Sequence, residues 1–302
     1  MSDIFGEVLQ RAFAERGFRT TMIEWDTLEI TKPGMDPWTI HIDAFRQSAS
    51  VNSRAELPRL AADYVERAVA AFTRDTAGID EILAAGQLRL RLYHPDDLGD
   101  LRDSLVARPL APGLLETVVI DYPESLSPLQ RSALGNLSEN EAFGAAILWS
   151  LDREPHYVQT DEVYGVPITY VGEQHRYVSA HLHLLLRHVN GHAPFGALVA
   201  VPIPEYVIIH VIGPDAHLFA AMEAMQDLAR THYEKGEKPL TKQVYWWCPG
   251  DYERIPVPDA FHSGMLPDLR PVGLEFDHEE ETASPLTPYT DDLVALWMEA
   301  HP

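Results

Sequence analysis

Four of the chain's 14 histidines crowd into one stretch, as His181, His183, His188 and His192. Imidazole is a standard ligand for zinc and its neighbours in the periodic table, so metal binding is the first chemistry to weigh. The segment Arg176 to Val189 (RYVSAHLHLLLRHV) carries Val178, Leu182, Leu185, Leu186 and Val189 at helical spacing. As a helix it would hold His181 and His188 two turns, ~10 Å, apart and turn His181 and His183 to nearly opposite sides. Neither pair then grips one ion as an i, i+4 pair does. The same residues also alternate, and as a strand they would put His181 and His183 on one face, where His210 on a neighbouring strand would complete a ligand set of His181, His183 and His210. The length, the leucine content and the terminator Asn190-Gly191 favour the helix. The histidines then read as surface or satisfied core residues.

The single cysteine, Cys248, lies in Trp246-Trp247-Cys248-Pro249-Gly250, at a strand end from which a nucleophile can be displayed. Beside two tryptophans it reads more simply as a small buried hydrophobe. Its neighbours Asp251 and Glu253 oppose thiolate formation. The run Glu275 to Glu281 (EFDHEEE) lacks the alternating Asp/Asn and fixed glycine of a calcium loop, and reads as a solvated acidic loop. No G-x-S-x-G, G-x-x-x-x-G-K-S/T, H-E-x-x-H or G-x-G-x-x-G occurs. The familiar hydrolase and nucleotide-binding fingerprints are absent, and no cofactor is expected.

The elements that must position these groups are clearest between Phe195 and Trp247. Ala197 to Ile203 and Tyr206 to Ile212 are β-branched runs joined by Pro204-Glu205, which predicts two adjacent antiparallel strands. Gly213-Pro214 breaks the second strand and Asp215 can cap a helix carrying Leu218, Phe219, Met222, Met225, Leu228 and Ala229 on one face. Val244 to Trp247 is a further strand. That order predicts an α+β protein with mainly antiparallel or mixed sheets and amphipathic helices on one face.

Upstream, Ile4 to Phe13 forms a helix stopped by Gly17, and Thr20 to Glu24, Leu28 to Thr31 and Thr39 to Ile42 form a small meander. Leu57 to Phe72 follows the helical repeat without a miss, with Ser53 and Glu56 as a capping box. Leu88 to Tyr93 (LRLRLY) alternates as a half-exposed strand should. Glu116 to Tyr122 reads as a strand, Ser127 to Gly135 as a short helix, and Ser138 with Glu141 caps a buried helix over Ala142 to Leu151. Strands fit Tyr157 to Thr160 and Pro167 to Val171. Pro109 and Pro112 mark a boundary between Leu105 and Gly113, giving an N-terminal half over 1–108 and a C-terminal half over 109–252. Strand, long helix and strand recur in Thr39 to Tyr93 and in Tyr206 to Trp247, an order that two related α+β halves would show. Residues 253–302, rich in proline, form an irregular extension whose closing helix, capped at Thr290 and carrying Leu293, Leu296 and Trp297, docks back on the body.

The arrangement of the second half resembles a bacterial cytosolic family described only as a domain of unknown function, the YtpQ-like proteins. The likeness runs from the Pro167 to Val171 strand and the Arg176 to Val189 helix to a strand ending in Val201-Pro202, the Tyr206 to Ile212 strand, a Met-containing helix and a last strand. It implies an α+β fold and a cytosolic location and supplies no catalytic residues.

The 46 acidic and 23 basic residues leave a formal net charge of −23. Such a surface repels nucleic acid and anionic membranes and draws basic protein partners. With one cysteine no intrachain disulfide is possible, no window reaches a membrane-spanning length, and MSDIFGEVLQRAFAERGF lacks the apolar core of a signal peptide. A cytoplasmic location is expected. The function expected on these grounds is non-catalytic: an accessory, chaperone-like protein that binds a protein partner through an acidic surface. The alternative is an enzyme, either a metal-assisted hydrolase using His181, His183 and His210 or a cysteine-dependent one using Cys248.

Overall fold

The computed structural model describes residues 3–34, 38–73, 78–122, 125–189, 193–213, 217–277, 279 and 282–300. His192, the Asn190-Gly191 terminator, the Asp215 cap and part of the acidic run (His278, Glu280 and Glu281) lie outside the described residues. Chain contacts divide the molecule into two units, Met1–Ala77 and Gly78–Pro302.

The first unit holds α1 (Ile4–Glu15), β1 (Arg19–Glu24), β2 (Thr27–Thr31), β3 (Trp38–His41), α2 (Asp43–Ser50) and α3 (Leu57–Thr73). Asp3 caps α1 by accepting the Gly6 N–H at 3.1 Å, and Gly17, at φ 80°, lets Phe18 N–H close back on the Phe13 carbonyl. The three strands pair antiparallel in sequence order, as the meander pattern predicted. Leu9 and Phe13 of α1, Leu28 and Ile30 of β2 and Ala61 and Val65 of α3 form one buried cluster.

The second unit runs α4 (Ile79–Ala85), β4 (Leu88–Tyr93), β5 (Ala107–Ala111), β6 (Leu114–Tyr122), β7 (Ser125–Pro128), α5 (Glu139–Arg153), β8 (Tyr157–Val163) and β9 (Val166–Gly172). A 3-10 run, Val178–Leu184, then leads into α6 (Leu185–His188). The chain continues through β10 (Ala197–Ala200), β11 (Tyr206–Val211), α7 (Leu218–Lys235), β12 (Val244–Cys248), α8 (Asp251–Arg254), α9 (Asp259–His262), β13 (Asp268–Val272), β14 (Leu274–Asp277), β15 (Thr282–Pro285) and α10 (Pro288–Glu299). The central sheet has the order β13-β12-β10-β11-β9-β8, and each of its ladders is antiparallel. A second sheet centres on β6, with β4 on one edge and β5 and β7 end to end on the other. The protein is α+β.

Strand alternation sorts the core into two layers. Ala197 and Val199 of β10 face Val178, Leu182 and Leu185, together with Leu92, Leu110 and Leu114 of the second sheet. Leu198 and Ala200 face Leu218, Met222 and Met225 of α7 and Leu293 of α10. The central sheet is therefore covered on both faces rather than one. That accounts for the unbroken apolar runs of β10 and β11, since a strand buried on two sides has no polar face to show.

Several expectations need correction. Residues 105–113 lie inside the second unit, because β5 pairs with β6 and Leu105 bridges to Gln130. Ser127 and Pro128 end β7, and only Arg131–Ala133 forms a 3-10 turn where a helix was predicted. The strand, helix and strand of Thr39 to Tyr93 belong to two different sheets, so they are not one counterpart of Tyr206 to Trp247. The 253–302 segment is no irregular extension: β13 forms an edge of the central sheet, and the closing helix docks as expected. Thr287, not Thr290, caps α10, while the buried Thr290 hydroxyl accepts the Gly273 N–H at 3.0 Å.

Candidate functional site

His183 sits on the 3-10 run with its side chain wholly enclosed. Its Nε2 lies 2.5 Å from Glu116 Oε1 on β6, and its Nδ1 lies 2.7 Å from the Tyr252 hydroxyl on α8. Glu116 Oε2 accepts from Arg108 Nε of β5 at 2.8 Å, and the Arg108 guanidinium stacks 4.0 Å from the Phe143 ring centroid. Burial pushes the Glu116 carboxyl up, but the charges and hydrogen bonds of His183 and Arg108 outweigh it and hold the group below the usual carboxylate range. A carboxylate only accepts, so Nε2 is the N–H end of the imidazole. Burial raises the Tyr252 phenol, which keeps its proton, and its hydroxyl lies within hydrogen-bonding distance of Nδ1. Hydroxyl, imidazole and carboxylate in series have the connectivity of a nucleophile relay. Tyr252 is only 4% exposed, however, and the other two groups are sealed, so no substrate reaches the hydroxyl. The chain of bonds ties β5, β6, the 3-10 run and α8 together.

His181, two residues earlier, belongs to a different group. Its Nδ1 is 3.1 Å from His188 Nε2, and its ring packs against His156 with centroids 4.1 Å apart. A regular helix would have kept His181 and His188 apart. The segment changes from 3-10 to α geometry through Leu184, at φ −130° and ψ 29°, and the two rings meet across that irregularity. Burial, then the charges of His156, His188, Arg187 and His175, lower the His181 imidazole to about 3. Burial, then His156 and Arg187, lower His188 to about 4. One ring nitrogen must donate and the other accept, so the pair cannot carry two protonated rings and keep its bond.

His210 lies on β11, 3% exposed, with Nδ1 2.9 Å from the Pro167 carbonyl of β9. His181, His183 and His210 are thus engaged in three separate places, and among the described residues no group of three His, Cys, Asp or Glu is placed to hold a metal ion. Cys248 ends β12, half-buried and opposite Asp268 of β13. Burial raises its thiol, Arg270 opposes that, and Asp268 and Glu253 add to it. Glu116, Arg108 and Tyr252 were not singled out from the sequence. The available signal was Glu116 itself, a charged residue just ahead of the apolar run VVI in a strand that is buried throughout that stretch.

The hairpin of β8 and β9 begins with a strand that is exposed along nearly its whole length. β8 is an edge strand, and Tyr157 to Glu162 are solvent-exposed at every position, so neither face of this strand is covered. Its two-residue turn, Tyr164-Gly165, has φ 52° and 79°, as a type I′ hairpin requires. Tyr157, Val158 and Tyr164 present large apolar side chains to solvent beside Asp161 and Glu162.

The fold and these groups define an α+β protein with two buried histidine networks and an open sheet edge. Comparison of the chain with protein-family models, curated proteins and solved structures found no match. Among the described residues, no helix is long and apolar enough to cross a membrane.

Proposed function

We propose that this is a non-catalytic accessory protein of the cytosol, chaperone-like in kind, that takes a basic, extended segment of a partner protein as an added strand on β8. The open β8 edge carries the reading: Tyr157 to Glu162 are exposed along a strand side that no described strand pairs. Roughly half of the residues in such a strand turn their N–H and C=O groups outward, where an incoming strand can bond them. Exposed edges are usually blunted because they invite association. This one instead offers Tyr157 and Val158 for contact, and Asp161 and Glu162 set the sign of the partner. The net charge of −23 steers a basic segment toward the surface at long range.

The test is a photo-crosslinker at Gln159 in the native cell, followed by purification at low and high salt. A partner crosslinked through a lysine- or arginine-rich segment, whose capture falls with rising salt and is lost in Asp161→Lys/Glu162→Lys, supports the proposal, because exposed charges are screened beyond ~8 Å at physiological ionic strength. A partner retained by the charge-reversed variant, or crosslinks confined to other surfaces, refutes it.

A further inference from the structure

Val163 and Val166 pair across the turn of the β8–β9 hairpin, and the pairing continues as Asp161 with Ile168, Gln159 with Tyr170 and Tyr157 with Gly172. Residues that flank a two-residue turn exchange both backbone hydrogen bonds, and bonded pairs then alternate with unbonded ones along the ladder. Val163, Asp161, Gln159 and Tyr157 therefore direct their N–H and C=O groups at β9. The far side of β9 has the matching parity. Its Pro167 carbonyl accepts from His210 of β11, and the Glu173 N–H, just past its end, donates to the Glu205 carbonyl just before β11. The intervening residues of β8, Val158, Thr160 and Glu162, thus turn their N–H and C=O groups outward.

Cross-strand partners share a face, so the side chains sort in the same way. Tyr157, Gln159 and Asp161 stand on the α7 face with Ile168 and Tyr170, and Gln159 Nε2 donates to Asp161 at 2.7 Å along it. Val158, Thr160 and Glu162 stand on the opposite face, where the Thr160 and Thr169 hydroxyls lie 3.0 Å apart and Val171 enters the other core layer. A strand bonded to Val158, Thr160 and Glu162 brings its alternate residues opposite Gln159 and Asp161 in unbonded pairs, where side chains approach most closely. The edge also has a direction. Tyr157 and Val158 begin it, and the carboxylates of Asp161 and Glu162 end it.

Resting on β8 as the edge that takes the partner, we infer that the bound segment runs antiparallel to β8 and begins with two consecutive basic residues. Two threonine-like residues, a β-branched residue and an aromatic one follow. In this register the basic residues stand opposite Glu162 and Asp161, threonine opposite Thr160, the β-branched residue opposite Val158 and the aromatic ring opposite Tyr157. Opposite charges, threonine pairs and apolar or aromatic pairs are the cross-strand combinations that stabilise a sheet. Antiparallel pairing continues the central sheet, in which each ladder is antiparallel, and is slightly the more stable per residue. A parallel segment needs the reverse order of residues to make the same matches, so order reports direction.

The test is NMR titration of protein labelled with nitrogen-15, using the acetylated, amidated peptide Arg-Lys-Thr-Thr-Val-Tyr and its reverse, Tyr-Val-Thr-Thr-Lys-Arg, which has the same composition and charge. The first peptide should shift the amide resonances of Val158, Thr160 and Glu162 saturably and more than those of Gln159 and Asp161. The reverse peptide should bind roughly fivefold or more weakly. Thr160→Pro removes an outward N–H, leaves the bonds to β9 in place and should abolish binding. Asp161→Asn, at an exposed position, should weaken the first peptide with no change to the core. Equal binding of the two peptides, preference for the reverse, shifts largest at Gln159 and Asp161, or an unchanged affinity in Asp161→Asn overturns the inferred direction and pattern while leaving β8 as the partner's edge. Resonances of β8 unmoved by either peptide, or binding that survives Thr160→Pro, overturn the inference together with the reading on which it rests.

Discussion

Acidification from pH 7.5 to 5.0 should destabilise the second unit through His181 and His188. An unfolded imidazole takes up a proton near pH 6.5, whereas folded His181 resists until about 3 and folded His188 until about 4. Both folded values are depressed, so stability is full above pH 6.5, falls as the pH drops below it, and stops falling only near pH 3–4. Each withheld proton contributes a slope of about 1.4 kcal/mol per pH unit. Over the ~1.5 units from 6.5 to 5.0, the well-buried His181 then costs about 2 kcal/mol. His188 is partly exposed and screened, and a discounted figure of about 1 kcal/mol brings the pair to about 3 kcal/mol. That is a large share of a typical domain's 5–15 kcal/mol. The groups facing the pair, His156, His175 and Arg187, are neutral or positive, so none offsets the incoming charge. Urea midpoints followed by tryptophan fluorescence at pH 7.5, 6.5, 5.5 and 5.0 measure the slope, since Trp149, Trp246, Trp247 and Trp297 all lie in the second unit. The variant His181→Asn/His188→Gln should be less stable at pH 7.5 but flatter with pH by about 3 kcal/mol across the window. A variant whose pH dependence parallels the parent within about 0.5 kcal/mol refutes the reasoning.

Three further outcomes are expected. Glu116→Gln removes the charge that His183 and Arg108 share, and by analogy with broken buried ion pairs should cost about 3–5 kcal/mol in a urea melt, with faster hydrogen exchange in β5, β6 and α8. Gly196→Ala should be worse tolerated than any surface change, because Gly196 has φ 75° and a Cβ there would overlap the Trp247 carbonyl oxygen, a backbone atom of the neighbouring strand; a loss above about 2 kcal/mol is expected, and a neutral melt would count against the close approach. Leu293→Ala opens a cavity under α10 worth about 2–5 kcal/mol and should let a glutamate-specific protease cut at Glu275 and Glu299 well before the parent chain is cut.

What the sequence by itself determined is what depends on neighbours a few residues away. The period of Leu57 to Phe72 specifies α3, Ser138 and Glu141 specify the start of α5 by a reciprocal cap, and the apolar runs around Pro204-Glu205 specify β10 and β11 as antiparallel neighbours. Tertiary structure decided the rest. In β4 the alternation of leucine and arginine predicts an exposed arginine face, yet Arg89 is only 7% exposed. Glu154, just past the end of α5, and the Gly86 and Leu88 carbonyls satisfy its guanidinium there. Prolines misled in the same way. Pro109 and Pro271 read as interruptions and Pro128 as the first position of a helix, yet each stands in a strand paired on one side only, where a missing N–H costs the ladder little. Arg176 to Val189 satisfied two periodicities at once and adopted neither regular form, because packing against β10 and the bonds of His181 and His183 to partners outside the 3-10 run decided it. The Tyr252, His183 and Glu116 chain joins residues 67 and 69 positions apart. Local pattern carries no information about which distant side chains will meet, and only the closing of the two sheets over one another brings them within hydrogen-bonding distance.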